Sequence, residues 1–182
     1  MPNYPIHTIA SAPEGSKPAL EQLHQAFGLT PNIAAVIANS PKLINSLVGV
    51  FQQVHSSSLT EPEIQIVLLT DAVANSSAYA VAFHTALALQ QGVGPEETEA
   101  IRERRVPTDT RFAALSALAK TLIDKRGHLS GQELDSFIAA GFTKEQVLEV
   151  VAIVAASTIT NYAGTIANPP LEDPFRQYAW RA

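Results

Sequence analysis

The chain carries five histidines, and imidazole is the side chain most often used to move protons near neutrality. His84 alone lies in the middle of a long helix-patterned stretch without charge, since residues 72–95 hold no Asp, Glu, Lys or Arg. Ser77, Ala80, Val81, His84 and Leu87 recur there at helical spacing and share one face. Such a face desolvates an imidazole, lowers its pKa and leaves a neutral base. The competing reading is a core histidine satisfied by a neighbouring carbonyl. Tyr79 precedes His84 by five residues and projects about 140° away on an ideal helix. The two would flank a pocket from its wall and its floor; alternatively Tyr79 is a packed aromatic with a satisfied hydroxyl. Ser77 and His84 do not form a nucleophile–base pair. Seven residues of helix hold them about 10.5 Å apart along the axis.

Other chemistries find less support. His55, His84 and Glu63 lack the paired spacing of a metal site, so no metal and no cofactor are expected. Arg102-Glu103-Arg104-Arg105 reads as a solvated helix end rather than an anion site. No glycine-rich phosphate loop is present. Cys is absent altogether, which removes disulfides, thiolate metal sites and any dithiol.

The elements that must position these residues read as helices throughout. Residues 1–16 form an extended lead-in punctuated by Pro2, Pro5, Pro13 and Gly15. Pro18, with Leu20, Leu23 and Phe27, marks a first helix stopped by Gly28. Pro31 opens a short helix, and Ser40-Pro41 opens a third carrying Leu43, Leu47, Val50, Phe51 and Val54 on one face. Thr60 and Glu63 spell a capping box for a run to Gln91, with Asn75-Ser76-Ser77 as a kink and Gly92 as its stop. Thr108 or Asp109 caps a helix ending near Gly127, Ser130 caps a short one, and Thr143 caps a long last helix ended by Pro169-Pro170. No segment alternates with period two, so the expected class is all-α, a bundle of about eight to nine helices. An offset of 83 residues relates Thr60 to Thr143, Val67 to Val150 and Tyr79 to Tyr162, suggesting a duplicated helical unit.

At 182 residues, 46% hydrophobic and 16% charged, the chain can bury a full core and is not disordered. A net charge of −5 argues against nucleic acid as a partner. Residues 72–95 and 150–171 are free of charged side chains. Their Asn, Ser, Thr, Gln and His content fits bundle interiors or subunit contacts better than a membrane span. Without Cys or a charged-then-apolar leader, the expected compartment is the cytoplasm.

From Thr60 to Gly92 the chain resembles the AhpD-like (alkylhydroperoxidase/carboxymuconolactone decarboxylase) superfamily. That family's frame is a Glu, then Cys-x-x-Cys, then a His short of a Gly. Gln65, Ser77, Tyr79, Ala80, His84 and Gly92 occupy it here. Arg111 to Lys120, Ala139 to Thr143, Val147 to Asn161 and the close at Phe175 resemble longer peroxidase-related members. The resemblance implies an AhpD-like helical domain over 30–175, with an arm and first helix at 1–29 and a tail at 176–182. It also implies self-assembly as a dimer, trimer or hexamer.

Both family thiols are replaced, by Ser77 and Ala80, and the relay Glu by Gln65. A hydroxyl cannot act as peroxidatic nucleophile or close a disulfide, so the family's peroxidase chemistry is not expected. The decarboxylase branch shares Tyr79 and His84. The expectation is therefore a non-redox enzyme or binder. His84 would be its general acid/base, Tyr79 a hydrogen-bond donor, Gln65 and Ser77 ligand-orienting groups, and a small lactone or carboxylate its ligand. The alternative is a redox-dead oligomeric structural or regulatory protein; a residual thiol-independent peroxidase is a remote third.

Overall fold

A computed structural model describes residues 4–181; Pro2 of the lead-in lies outside them. Among the described residues there are nine α-helices and no strand. In chain order they are α1 (Lys17–Phe27), α2 (Asn32–Ile37), α3 (Pro41–Val54), α4 (Glu61–Ala74), α5 (Ala78–Gln90), α6 (Pro95–Arg102), α7 (Thr110–Asp124), α8 (Gly131–Ala139) and α9 (Lys144–Ala167). Short 3-10 turns lie at Glu14–Ser16 and Asp173–Tyr178. The all-α expectation of eight to nine helices holds.

Local signals account for most boundaries. Ser40 accepts from the Leu43 amide, Asp109 from the Arg111 and Phe112 amides, and Thr143 from the Gln146 amide, relieving amides with no partner inside the helix. Gly28 ends α1 at φ 71°, in the left-handed region that glycine adopts freely. At α4 the Glu63 carboxylate accepts from both the backbone amide and the hydroxyl of Thr60, each at 2.9 Å.

Helix α4 is the axis of the molecule. Every residue from Glu63 to Val73 is buried, so the helix has no solvent face and must be enclosed. Its neighbours are α5, α7, α9 and α6. Its Leu68 and Leu69 share one apolar cluster with Leu115, Val150 and Ile153. A second cluster gathers α1, α2 and α3 around Tyr79, Phe83 and Phe175.

The 83-residue offset pairs α4 and α5 with α9, but the two copies differ. The first breaks at Ser76, held at φ 54°, whereas α9 runs unbroken to Asn168. Tyr79 is buried while Tyr162 is 60% exposed. By length and composition α9 could cross a membrane; here it packs on α3, α4 and α7.

The arginine run departs from expectation. Arg102 is not a solvated helix end, because its guanidinium donates to the Tyr178 carbonyl and the Thr85 hydroxyl, each at 3.0 Å. Trp180 Nε1 returns a bond to the Arg102 carbonyl at 3.0 Å, and Arg104 sits over the indole ring. Residues 178–180 are thereby strapped against α5 and α6.

Candidate functional site: a cavity beneath His84

A cavity of about 760 Å³ opens between α1, α2, α3, α4, α5 and the C-terminal turn. The break at Ser76 turns α5 back along α4, so Gln65 and His84 face each other although 19 residues apart. His84 is only 6% exposed yet lines the cavity. Its Nδ1 lies 3.1 Å from Gln65 Oε1. An amide oxygen can only accept, so the ring carries its proton on Nδ1 and offers Nε2 as an acceptor. Burial, and secondarily the charge of nearby His55, push the imidazole down to about 3. At neutral pH His84 is thus uncharged, as the face pattern implied, but it is a weak base.

Tyr79 also lines the cavity, but its proton is already committed. The hydroxyl donates to Glu172 Oε1 at 2.8 Å and accepts from the Ile33 amide at 3.4 Å. Burial, followed by the Glu172 carboxylate, raises the phenol well above its ordinary range. With that proton committed, what Tyr79 presents to the cavity is its ring. Phe83 stacks against it and contacts Phe27, His84 and Phe175 edge-on, completing an aromatic wall.

Ser77 is buried at the start of α5 and is not among the cavity-lining residues. Ala80, at the other family thiol position, does line it. The geometry therefore unites Gln65, Tyr79 and His84 and leaves Ser77 behind the wall. Glu63 cannot stand in for Gln65. Two bonds from Arg111, at 2.7 and 2.9 Å, tie its carboxylate away from the cavity, and these bonds with those from Thr60 hold its pKa below the usual value despite burial.

Three further groups matter that the sequence did not assign to this region, His55 having been weighed only as a metal ligand. His55, at the end of α3, contacts Glu61 Oε1 at 2.9 Å, and both line the cavity. Their only local signal is position, a histidine at one helix's C-terminus and a carboxylate at the next one's N-terminus. Glu172, the partner of Tyr79, lies 93 residues away and has no local signal. Asp71 is fully buried on α4 among Asn75, Ser157 and Asn161, and Asn161 Nδ2 reaches its Oδ2 at 2.7 Å. Burial raises its carboxyl to about 6, against the opposing pull of those hydrogen bonds. Among the described residues no group of three or more His, Cys, Asp or Glu is placed to hold a metal.

The model of the carboxymuconolactone decarboxylase family matches residues 32–122, half of the chain. No curated protein matches. Among solved structures, an AhpD-core peroxidase-related protein from Ralstonia eutropha JMP134 superposes with TM-score 0.84 at 18% identity, over 95% of this chain and 93% of that one. A cysteine-to-alanine variant of the debrominase Bmp8, in complex with 2,3,4-tribromopyrrole, gives TM-score 0.80 at 16% identity, over 98% and 95%. A peroxidase-related protein from Silicibacter sp. TM1040 gives 0.79 at 15%, over 94% and 91%. These structures share the fold and, at such identities, nothing finer. The chain belongs to the carboxymuconolactone decarboxylase family and has its AhpD-like all-α fold.

Proposed function

We propose that this chain binds a neutral, largely apolar small molecule and performs no redox chemistry on it. One observation carries the reading. The cavity is walled by Phe27, Phe51, Phe83 and Phe175, and its buried pair Gln65 and His84 presents one acceptor, His84 Nε2, beside one donor, the Gln65 amide. Among the described lining residues there is no Lys or Arg, and Glu61 is the carboxylate present. Apart from His55, which is already paired with Glu61, a carboxylate ligand would meet no cationic side chain. The expected lactone-or-carboxylate ligand narrows to neutral rings such as a lactone. Debrominase Bmp8, crystallised with a bromopyrrole, is a precedent for a neutral ring held by this fold. Without Cys, thiol-based peroxidase or dehalogenation chemistry is unavailable here.

Thermal unfolding of the wild type and His84→Ala with lactones, cyclic ketones, carboxylates and hydroperoxides tests this. A neutral ring at a hundredfold over its Kd should stabilise the wild type by ~2.7 kcal/mol, a midpoint rise of roughly 5–10 °C. His84→Ala should lose the shift. Stabilisation by carboxylates alone, or consumption of hydroperoxide, would sink the reading.

A second reading, an oligomeric scaffold, draws on α9, where Leu148, Val151, Tyr162 and Ile166 stand 71%, 43%, 60% and 54% exposed. Exposed apolar residues so aligned suit a subunit contact. Sedimentation of Leu148→Glu and Tyr162→Glu should then show a smaller species than the wild type.

A further inference from the structure

At the mouth of the cavity the C-terminus of α3 meets the N-terminus of α4. His55 sits at the first and Glu61 at the second, and Nδ1 lies 2.9 and 3.0 Å from the two carboxylate oxygens. A carboxylate facing Nδ1 fixes the proton there and leaves Nε2 as the basic nitrogen. Among the described residues no hydrogen bond engages that Nε2. The pair is anchored from outside, because Glu149 of α9 accepts from both the amide and the hydroxyl of Ser58 in the connecting turn, at 2.8 and 2.7 Å. The imidazole rests on Phe51. Its side chain is 40% exposed, so it reaches bulk water as well as the cavity.

The two cavity histidines are thus built differently. His84 is sealed and faces an amide, whereas His55 is backed by a carboxylate and has solvent with which to exchange protons. We propose that His55, oriented by Glu61, is the proton-transferring group of this cavity, acting on a neutral cyclic carbonyl compound with an acidic C–H beside the carbonyl. The inference rests on the cavity reading above.

The step balances without any co-reactant. His55 Nε2 takes the proton from the α-carbon, and the C–H electron pair becomes a C=C bond as the carbonyl π pair moves onto oxygen. The amide N–H of Gln65, engaged by no hydrogen bond among the described residues, is the donor available to that oxygen. The imidazolium, paired with Glu61, then returns a proton to the same carbon or to another atom of the conjugated system. The net change is proton exchange or isomerisation, and nothing is oxidised or reduced.

The test uses 2-indanone, a neutral ketone with acidic α-hydrogens, incubated with the protein in D2O and followed by proton NMR. Binding is measured in parallel from the unfolding midpoint. The wild type should accelerate α-deuteration over buffer. His55→Gln and Glu61→Gln should each slow it at least tenfold while the dissociation constant moves less than threefold. Glu133→Gln, remote from the cavity, should leave the rate unchanged. Binding without accelerated exchange, or exchange as fast in His55→Gln as in the wild type, overturns the assignment to His55 and leaves the cavity reading standing. Absence of binding removes both.

Discussion

His84, Tyr79 and Glu172 illustrate how the fate of a single hydrogen decides what a side chain can do. Tyr79 would be a natural donor to a ligand were its proton not held by a carboxylate that also accepts from the Asn32 amide. Replacing Tyr79 by Phe takes one of two donors from Glu172 Oε1 and leaves it the Asn32 amide, while Oε2 is already buried without a partner. Losing a hydrogen bond to a charged group costs ~1.5–3 kcal/mol. Urea unfolding of Tyr79→Phe should therefore show a lower midpoint with an unchanged slope. This pair was beyond sequence reasoning, because nothing in the spacing of residues 79 and 172 brings them together. His84 was readable, since its desolvation follows from an uncharged helix face. Its partner Gln65 emerged only through the family frame.

At the level of helices, the legible features were those whose cause is local. Ser40, Asp109, Ser130 and Thr143 start helices at the expected places because a capping side chain and the amides it serves are two or three residues apart. The start of helix α6 was missed, although its end at Arg102 was read. Its Pro95-Glu96-Glu97-Thr98-Glu99 opening looks like a solvated loop, yet Glu97 is buried and accepts from the Thr108 and Asp109 amides, fastening the next helix. That use of a glutamate is tertiary and has no periodic trace. The break between α4 and α5 is the element the site most depends on. Ser76 adopts φ 54°, a conformation costly to residues with a Cβ and most costly to branched ones. Ser76→Gly should hold or raise stability by up to ~1 kcal/mol, moderated by the lost Arg104 contact to the serine hydroxyl. Ser76→Val should lower it by ~1–2 kcal/mol. Guanidinium unfolding of the two variants gives the comparison.

For the whole molecule, two buried groups set opposing pH dependences. Asp71 has its folded pKa raised from 3.8 to about 6. Its contribution is complete below the lower value and is lost as pH rises through the upper one, a swing on the order of 3 kcal/mol. His84 has its folded pKa lowered from 6.5 to about 3. Its contribution is present above the unfolded value and is lost as pH falls toward the folded one. Between about pH 4 and 6 the two slopes cancel, so wild-type stability should be nearly level there. Asp71→Asn should expose the His84 slope, with stability falling on acidification. His84→Gln should expose the opposite slope, with stability falling as pH rises. Unfolding midpoints at half-unit intervals of pH check this, and parallel profiles for the two variants would contradict it.

The strap formed by the last residues has a practical consequence. Pro174 and Phe175 supply part of the cavity wall, while Arg102, Thr85 and Trp180 hold the chain just beyond them. This wall is a 3-10 turn, and α1 to α9 are complete without it. Loosening it would leave the far-ultraviolet circular dichroism almost untouched while opening the ligand chamber. Arg102→Ala should look folded by that spectroscopic criterion and yet bind poorly, so helicity alone is the wrong quality control for preparations of this protein.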